Sequence, residues 1–503
     1  MSRVTANVFA NFAGSFWGAV ISLFFVPIYI RYLGMEAYGL IGISSAITVI
    51  MSLSDFGITA ALMREMARGW KTEEDINEGR QVFAILSRLY FPLVMLLGGA
   101  IVVSAPYIAS DWIKAGMLET EVVVMTLRII GIMASLQLLA VYFSAALLGL
   151  QRQVLANIIG MVTATVQALG AVLVLEFYGP DIVAFFAWQT LVLGISAAVT
   201  AVAVNSIVPR AVKRGDIDRS VFRRVIRFAL GMSGISVLSI VLTQTDKVVL
   251  SKLLSLEQFG YYSLATVVAM SLKRLFGPLF SAFYPRLIEL VRRNDPATLS
   301  HVYHLASQAM GAMVLPVSML LMFYSWEIVY VWTGDVSIAD RSHMLITILV
   351  AGTALTGLTQ TPYALQLAHG KTRLALIINI VGAIFFVPAV YLLGKYYGGE
   401  GAATAWLILN LAYILVYVPL AHKQILLHSL RRWYVRDTLI PGLAAAGPLL
   451  VALPLVRAIE GERISLFLII AVAYLVSVAM AVLVARDLRD EIWRRIMSKV
   501  VSA

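Results

Sequence analysis

The sequence predicts an all-α integral membrane protein of about 14 transmembrane helices: two parallel six-helix repeats followed by two further helices. Three observations carry this. Of 503 residues, 60% are hydrophobic and only 13% charged, with mean hydropathy +0.87; a soluble domain is about half apolar and a quarter charged. Apolar runs of about 20 residues, the length that crosses a hydrocarbon core of about 30 Å, follow one another along the whole chain. Finally, motifs from the first half recur in order in the second.

The runs fall near 9–30, 40–63, 82–105, 122–149, 154–176, 182–208, 227–251, 262–286, 301–325, 343–368, 374–394, 400–421, 438–456 and 463–485. Their connections set the orientation, because cytoplasmic loops carry an excess of Lys and Arg. Placing the N-terminus, the even-numbered connections and the C-terminus on one side gathers 28 of the 39 cations there, against 7 opposite and 4 inside spans. Both termini are therefore expected in the cytoplasm. The same placement accounts for the net charge of +11 without nucleic acid. The first apolar run is long and followed by more spans, which is not the pattern of a cleaved signal.

A basic loop, Pro209 to Arg227, marks the middle. Around it RYLGMEAYGL (Arg31–Leu40) matches KLLSLEQFGY (Lys252–Tyr261) at an offset of 221, pairing Glu36 with Glu257 and Gly39 with Gly260. PLVMLL at Pro92 matches PVSMLL at Pro316. QRQVLANII from Gln151 matches GKTRLALII from Gly370, and FYGPDIVA from Phe177 matches YYGGEGAA from Tyr396, both at 219. The expected division is 1–208, a first lobe of six spans; 209–226, a basic cytoplasmic linker; 227–422, a second lobe; and 423–503, two spans with a basic tail. Six is even, so both lobes have one orientation, the parallel-repeat layout in which a substrate path lies between repeats.

Several chemistries are disfavoured. There is no cysteine, hence no disulfide and no thiolate site. The six histidines show no metal spacing, and no phosphate-cradling GxxxxGK[ST] occurs, so no metal, ATP site or other cofactor is expected. No loop exceeds about 20 residues, which leaves little room for the extramembrane catalytic domain of a glycosyltransferase or polymerase.

The opening NFAGSFWGAVISLFFVPIYIRYLGMEAYGL and the seventh-span TDKVVLSKLLSLEQFGYYSLA, in a 6 + 6 + 2 pattern of spans, resemble the Wzx-type polysaccharide flippases for O-antigen and exopolysaccharide repeat units. That family shares a superfamily with the multidrug MATE exporters and the lipid II flippase MurJ. The resemblance covers about Asn7 to Ala421. It implies a V-shaped pair of lobes, alternating access, and cargo consisting of an oligosaccharide on undecaprenyl pyrophosphate, moved from the cytoplasmic to the periplasmic leaflet of the bacterial inner membrane. It implies a transporter rather than an enzyme, working in membrane lipid and beside a polymerase and glycosyltransferases.

Charges inside spans are costly and usually face a protein interior or a wet cavity. This chain places Arg128 in span four, Asp246 and Lys247 in span seven, Lys273 and Arg274 in span eight, and Asp55 in span two. Cations exceed acids, the reverse of what a MATE-like exporter of cations would need and the right sign for a pyrophosphate crossing an apolar barrier. Lys273, Arg274, Lys247 and Arg128 are thus the candidate cargo contacts, with Asp246 and Asp55 as charge partners. Two readings stand for Asp246–Lys247, either a structural ion pair with span eight or another neighbour, or a cargo contact, and Asp55 reads first as a helix–helix partner of a buried cation. Arg64, Arg88 and Arg286, near cytoplasmic span ends, are candidates for meeting the headgroup on entry and equally for anchoring to the interface. Pro278, four residues beyond Arg274, is the candidate hinge, since proline frees backbone groups and kinks a helix. The tryptophans, Trp406 among them, read as interface or packing residues.

Overall fold

The computed structural model describes residues 3–67, 73–208, 237–426, 429–458 and 463–502. Among them every regular element is a helix. Only helices and closed barrels can satisfy their own backbone groups in lipid, so long apolar runs free of polar loops resolve as helices.

Eleven helical runs are long and apolar enough to cross a membrane among the described residues. One of them, Thr372–Ile425, covers two expected spans, and the chain turns between them at Gly398 (φ 60°, ψ −140°). Spans one and two likewise meet at Gly34 (φ 79°) inside Val26–Leu53. The first span falls on Arg3–Phe24, whose apolar stretch Ala13–Phe24 is short. The seventh falls on a helix at 237–253, and residues 209–236, with the whole of the basic loop, lie outside the described residues.

The chain forms two compact units, Met1–Gly260 and Tyr261–Ala503. The division lies beyond the expected boundary at the basic loop, so the helix at 237–253 belongs with the first unit. Its attachment is specific. Trp112 Nε1 donates to Ser251 Oγ at 2.9 Å, Lys114 Nζ to the Leu253 carbonyl at 2.9 Å, and the Leu256 amide to the Lys114 carbonyl at 2.9 Å. The Lys252 ammonium sits 4.7 Å from the centre of the Trp112 ring.

In the first unit the helix α5 (Thr120–Gly149) is central, packed against α3 (Ile58–Met66), α4 (Glu73–Tyr107) and α7 (Ile182–Ile207), while α6 (Gln153–Phe177) lies against Arg3–Phe24 and α7. Leu127, Ile130, Ala134 and Leu138 of α5 are fully buried, and Tyr90 of α4 stacks on Tyr142 with ring centres 4.7 Å apart. In lipid such packing comes from van der Waals contact rather than from the hydrophobic effect. The second unit is built on Pro296–Phe323 and Val336–Ala368, and the last two spans, Ile440–Ala458 and Arg463–Val484, pack on Pro296–Phe323.

Backbone conformation repeats with the motifs. At the offset of 219, Gln151 (φ 58°) pairs with Gly370 (φ 69°) and Gly179 (φ 111°) with Gly398 (φ 60°). Left-handed backbone is costly for most residues, so two such pairs at one offset are strong support for a common local architecture.

Candidate functional site

The candidate cations lie on both units, and each is described in its own. In the first, Asp246 is buried and Lys247 nearly so. Neighbouring helical positions diverge by about 100°, so the Lys247 side chain folds back along the helix. Its Nζ donates to the Thr243 carbonyl at 3.0 Å and lies 3.5 Å from Asp246 Oδ1. The two charges therefore meet within one helical turn. A lysine point charge on a flexible stem can exchange such contacts for an anion. Arg128 is exposed on α5, two turns from its start. Arg64, in the last turn of α3, and Arg88, on α4, are exposed as well.

Asp55 departs from its expected use. The second span is interrupted after Leu53 by a turn in which Phe56 and Gly57 are left-handed (φ 51° and 76°). Asp55 Oδ1 accepts the Gly57 amide at 2.8 Å, and Oδ2 accepts the Thr59 amide at 3.2 Å together with the Thr59 hydroxyl. The carboxylate satisfies amides left open at the start of α3, a use within its own turn that the sequence reading did not foresee.

In the second unit α9 (Leu256–Ser271), which begins in the first, is followed by α10 (Lys273–Arg293), with a tightened turn at Leu272 between them. Lys273 and Arg274 open α10, midway along the 38-residue helical run Leu256–Arg293. Arg274 is exposed and Lys273 half-buried. The Lys273 ammonium lies 5.4 Å from the centre of the Trp406 ring. That ring is fixed on three sides: Nε1 donates to Thr353 Oγ1 at 3.3 Å, Phe386 meets it edge-on at 6.1 Å, and Gly352 lies beneath, where a Cβ would come within 2.5 Å. A cation over an aromatic face gains a further stabilising contact, which holds the Lys273 ammonium against the ring. Trp406, which sequence reasoning set aside as packing, is the ring that Lys273 meets.

Pro278 is exposed within α10 and has no N–H to donate to the carbonyl one turn back, that of Arg274. Arg286 is paired with Glu289 at 2.6 Å, and Arg293 shares that carboxylate at 2.6 Å. Its guanidinium is thus already engaged on the surface of its own helix.

The fold of this multi-pass helical chain is one shared with solved proteins of the MOP superfamily. It matches the lipid II flippase MurJ in an inward closed conformation with TM-score 0.69 at 15% identity, over 96% of this chain and 99% of that one. It also matches an inward-facing multidrug resistance MATE family transporter of the MOP superfamily with TM-score 0.62 at 16% identity, over 82% and 96%. A Shigella flexneri protein described as "Putative O-antigen transporter" is 22% identical over 385 residues, 75% of this chain and 88% of that protein. The polysaccharide biosynthesis protein family model matches residues 4–291, more than half of the chain, and the chain belongs to that family.

Proposed function

We propose that this protein is a flippase for undecaprenyl-pyrophosphate-linked oligosaccharide repeat units. It moves them from the cytoplasmic to the periplasmic leaflet of the bacterial inner membrane by alternating access, with both termini in the cytoplasm. Family membership supports a polysaccharide cargo, and the likeness to MurJ supports a fold suited to lipid-linked substrates. The observation that carries the charge part of the reading is Lys273 held over Trp406, beside Arg274, at the middle of a long helical run. A pyrophosphate entering lipid loses its hydration, and fixed cations offset that loss. Arg274 would grip phosphate oxygens in two-pronged fashion and Lys273 as a point charge. Lys247 and Arg128 are the further contacts, and Arg64, Arg88 and Arg286 the candidates for first meeting the headgroup.

The test is leaflet access of a fluorescent undecaprenyl-pyrophosphate oligosaccharide in vesicles holding the purified protein. Removing two charge-assisted contacts predicts that Lys273→Ala/Arg274→Ala slows flipping by about tenfold or more. Equal rates for the double variant and the wild type would sink the cationic path. Exchanging Asp246 and Lys247 tests the first unit separately: retained flipping assigns them to each other, and lost flipping to the cargo.

A further inference from the structure

A cavity lies inside each unit, and the two occupy the same place in the repeat. The first, of about 490 Å³, is lined from α3, α5, α6 and α7; the second, of about 190 Å³, from Val336–Ala368, Thr372–Ala412 and the turn Tyr413–Tyr417. At the single offset of 219, six lining positions coincide, among them Gln137 with Thr356, Ser144 with Tyr363 and Gly160 with Asn379. Chance voids between helices have no reason to share positions across two halves that align only by short motifs.

Among the described residues no charged side chain lines either cavity. Both present hydroxyls and carboxamides within membrane spans, where polar groups need partners. In the second cavity the groups are arranged and only partly used. Tyr413 donates to Asn379 Oδ1 at 3.0 Å, which fixes the amide and leaves its NH2 group without a partner among the described residues. The Gln360 amide reaches only the Thr356 carbonyl, at 3.5 Å. Tyr413 and Tyr417 stand at the two ends of a π-helical turn, a wound-out geometry frequent at functional sites, and Tyr417 is braced by a 2.6 Å hydrogen bond to Gln366.

We propose that these paired cavities are saccharide sites. A sugar ring offers hydroxyls that both donate and accept, matching the free amides. Its C–H face suits the apolar body of a tyrosine whose hydroxyl is held elsewhere. An ion finds no counter-charge here, and a hydrocarbon chain would leave the amide donors stranded. The second cavity, narrowed by Tyr363 and Asn379, takes one neutral sugar ring. The first, opened by Ser144 and Gly160 at the same positions, takes a larger saccharide unit. The inference deepens the flippase reading, on which its biological role rests, by assigning the part of the cargo that the cations cannot read.

Saturation-transfer NMR on the full chain in lipid nanodiscs, with free glucose, galactose, mannose, rhamnose and N-acetylglucosamine as probes, tests it without any lipid-linked cargo. At least one sugar should receive saturation. Asn379→Ala and Gln360→Ala should each cut that transfer by about fivefold, the scale of one lost hydrogen bond. Thermal unfolding of each variant reports whether it is folded, and the isosteric Asn379→Asp, which removes the donor while keeping the volume, serves if Asn379→Ala is not. Silence from every sugar with the wild type, or transfer unchanged in the folded variants, overturns the proposal. Sugar silence with cation-dependent flipping would leave the flippase reading standing and remove this one; sugar binding with cation-independent flipping would do the reverse.

Discussion

Gly39 and Gly260 each lie against a backbone carbonyl of the other's turn. A Cβ on Gly39 would come within 2.2 Å of the Leu256 oxygen, and one on Gly260 within 2.3 Å of the Met35 oxygen. The offset of 221 carries Gly39 onto Gly260 and Met35 onto Leu256, so the second contact repeats the first with the partners exchanged. This is the self-complementary pattern of a two-fold interface, here between two turns of one chain.

Closing such contacts with a methyl group forces backbone apart. Gly39→Ala and Gly260→Ala are each expected to cost about 1–3 kcal/mol, the usual range for overpacking. Because both strain one seam, the double variant should cost less than the sum. Thermal unfolding in micelles measures this, with Gly18→Ala as control, since a Cβ there meets nothing within 4 Å. Equal midpoints for all three single variants would disprove the seam.

Trp406 should matter through Lys273 and not only through packing. Trp406→Leu removes the ring face and is expected to slow flipping by roughly two- to thirtyfold, the scale of about 0.5–2 kcal/mol for a cation on an aromatic ring. Trp406→Phe should fall between, and Lys273→Arg should retain activity, because guanidinium also stacks on rings. A leucine variant as fast as the phenylalanine one would remove Trp406 from the site.

How much of this was legible depends on sequence distance. Hydropathy and the recurring motifs point to the helical class and to the internal symmetry, because both are local patterns. The role of Asp55 was readable too: an acid one residue before Phe-Gly and four before Thr59 is a turn-and-cap signature, obscured by reading residues 40–63 as one span. The turns at Gly34 and Gly398 were legible as well, since each falls between two expected spans and is flanked by charges, Arg31 and Glu36 at the first and Lys395 and Glu400 at the second. Lys273 and Trp406 stand far apart in sequence, and nothing local ties them. His304 likewise showed no neighbouring carboxylate, yet its Nδ1 meets Asp437 from a span that follows much later.

That pairing sits in a buried network. Asp437 and His304 are fully enclosed, Gln308 Nε2 donates to Asp437 at 2.9 Å and to Asp487 at 2.6 Å, and Gln308 Oε1 accepts the Asp487 amide at 2.9 Å. Arg432 completes the set with a 2.6 Å bond to Asp487. Removing one partner leaves the others buried and unpaired, so Asp437→Ala should cost about 3–5 kcal/mol in thermal unfolding. Gln308→Leu should instead free the helix Arg486–Ser502, seen as faster amide exchange across 487–498. Unchanged exchange there would mean the helix is held by its apolar face alone.

Acid should loosen the connection before the ninth span. Asp295 caps the helix Pro296–Phe323, accepting the Thr298 amide at 3.0 Å. Hydrogen bonding to Thr298 holds its carboxyl below the ordinary value, because the bonds favour the ionised form. A carboxyl lowered in the folded state contributes stability that is fully present above its unfolded value of about 3.9 and is lost as pH falls through the folded value. Protection factors of the amides at 297–299, which remove the intrinsic slowing of exchange in acid, should therefore fall as pH drops below the ordinary aspartate value of about 3.9 and the carboxylate takes up its proton. Asn caps nearly as well as Asp and does not titrate, so Asp295→Asn should keep the neutral-pH protection and lose the acid response. An acid response that persists in the asparagine variant would place the titrating group elsewhere.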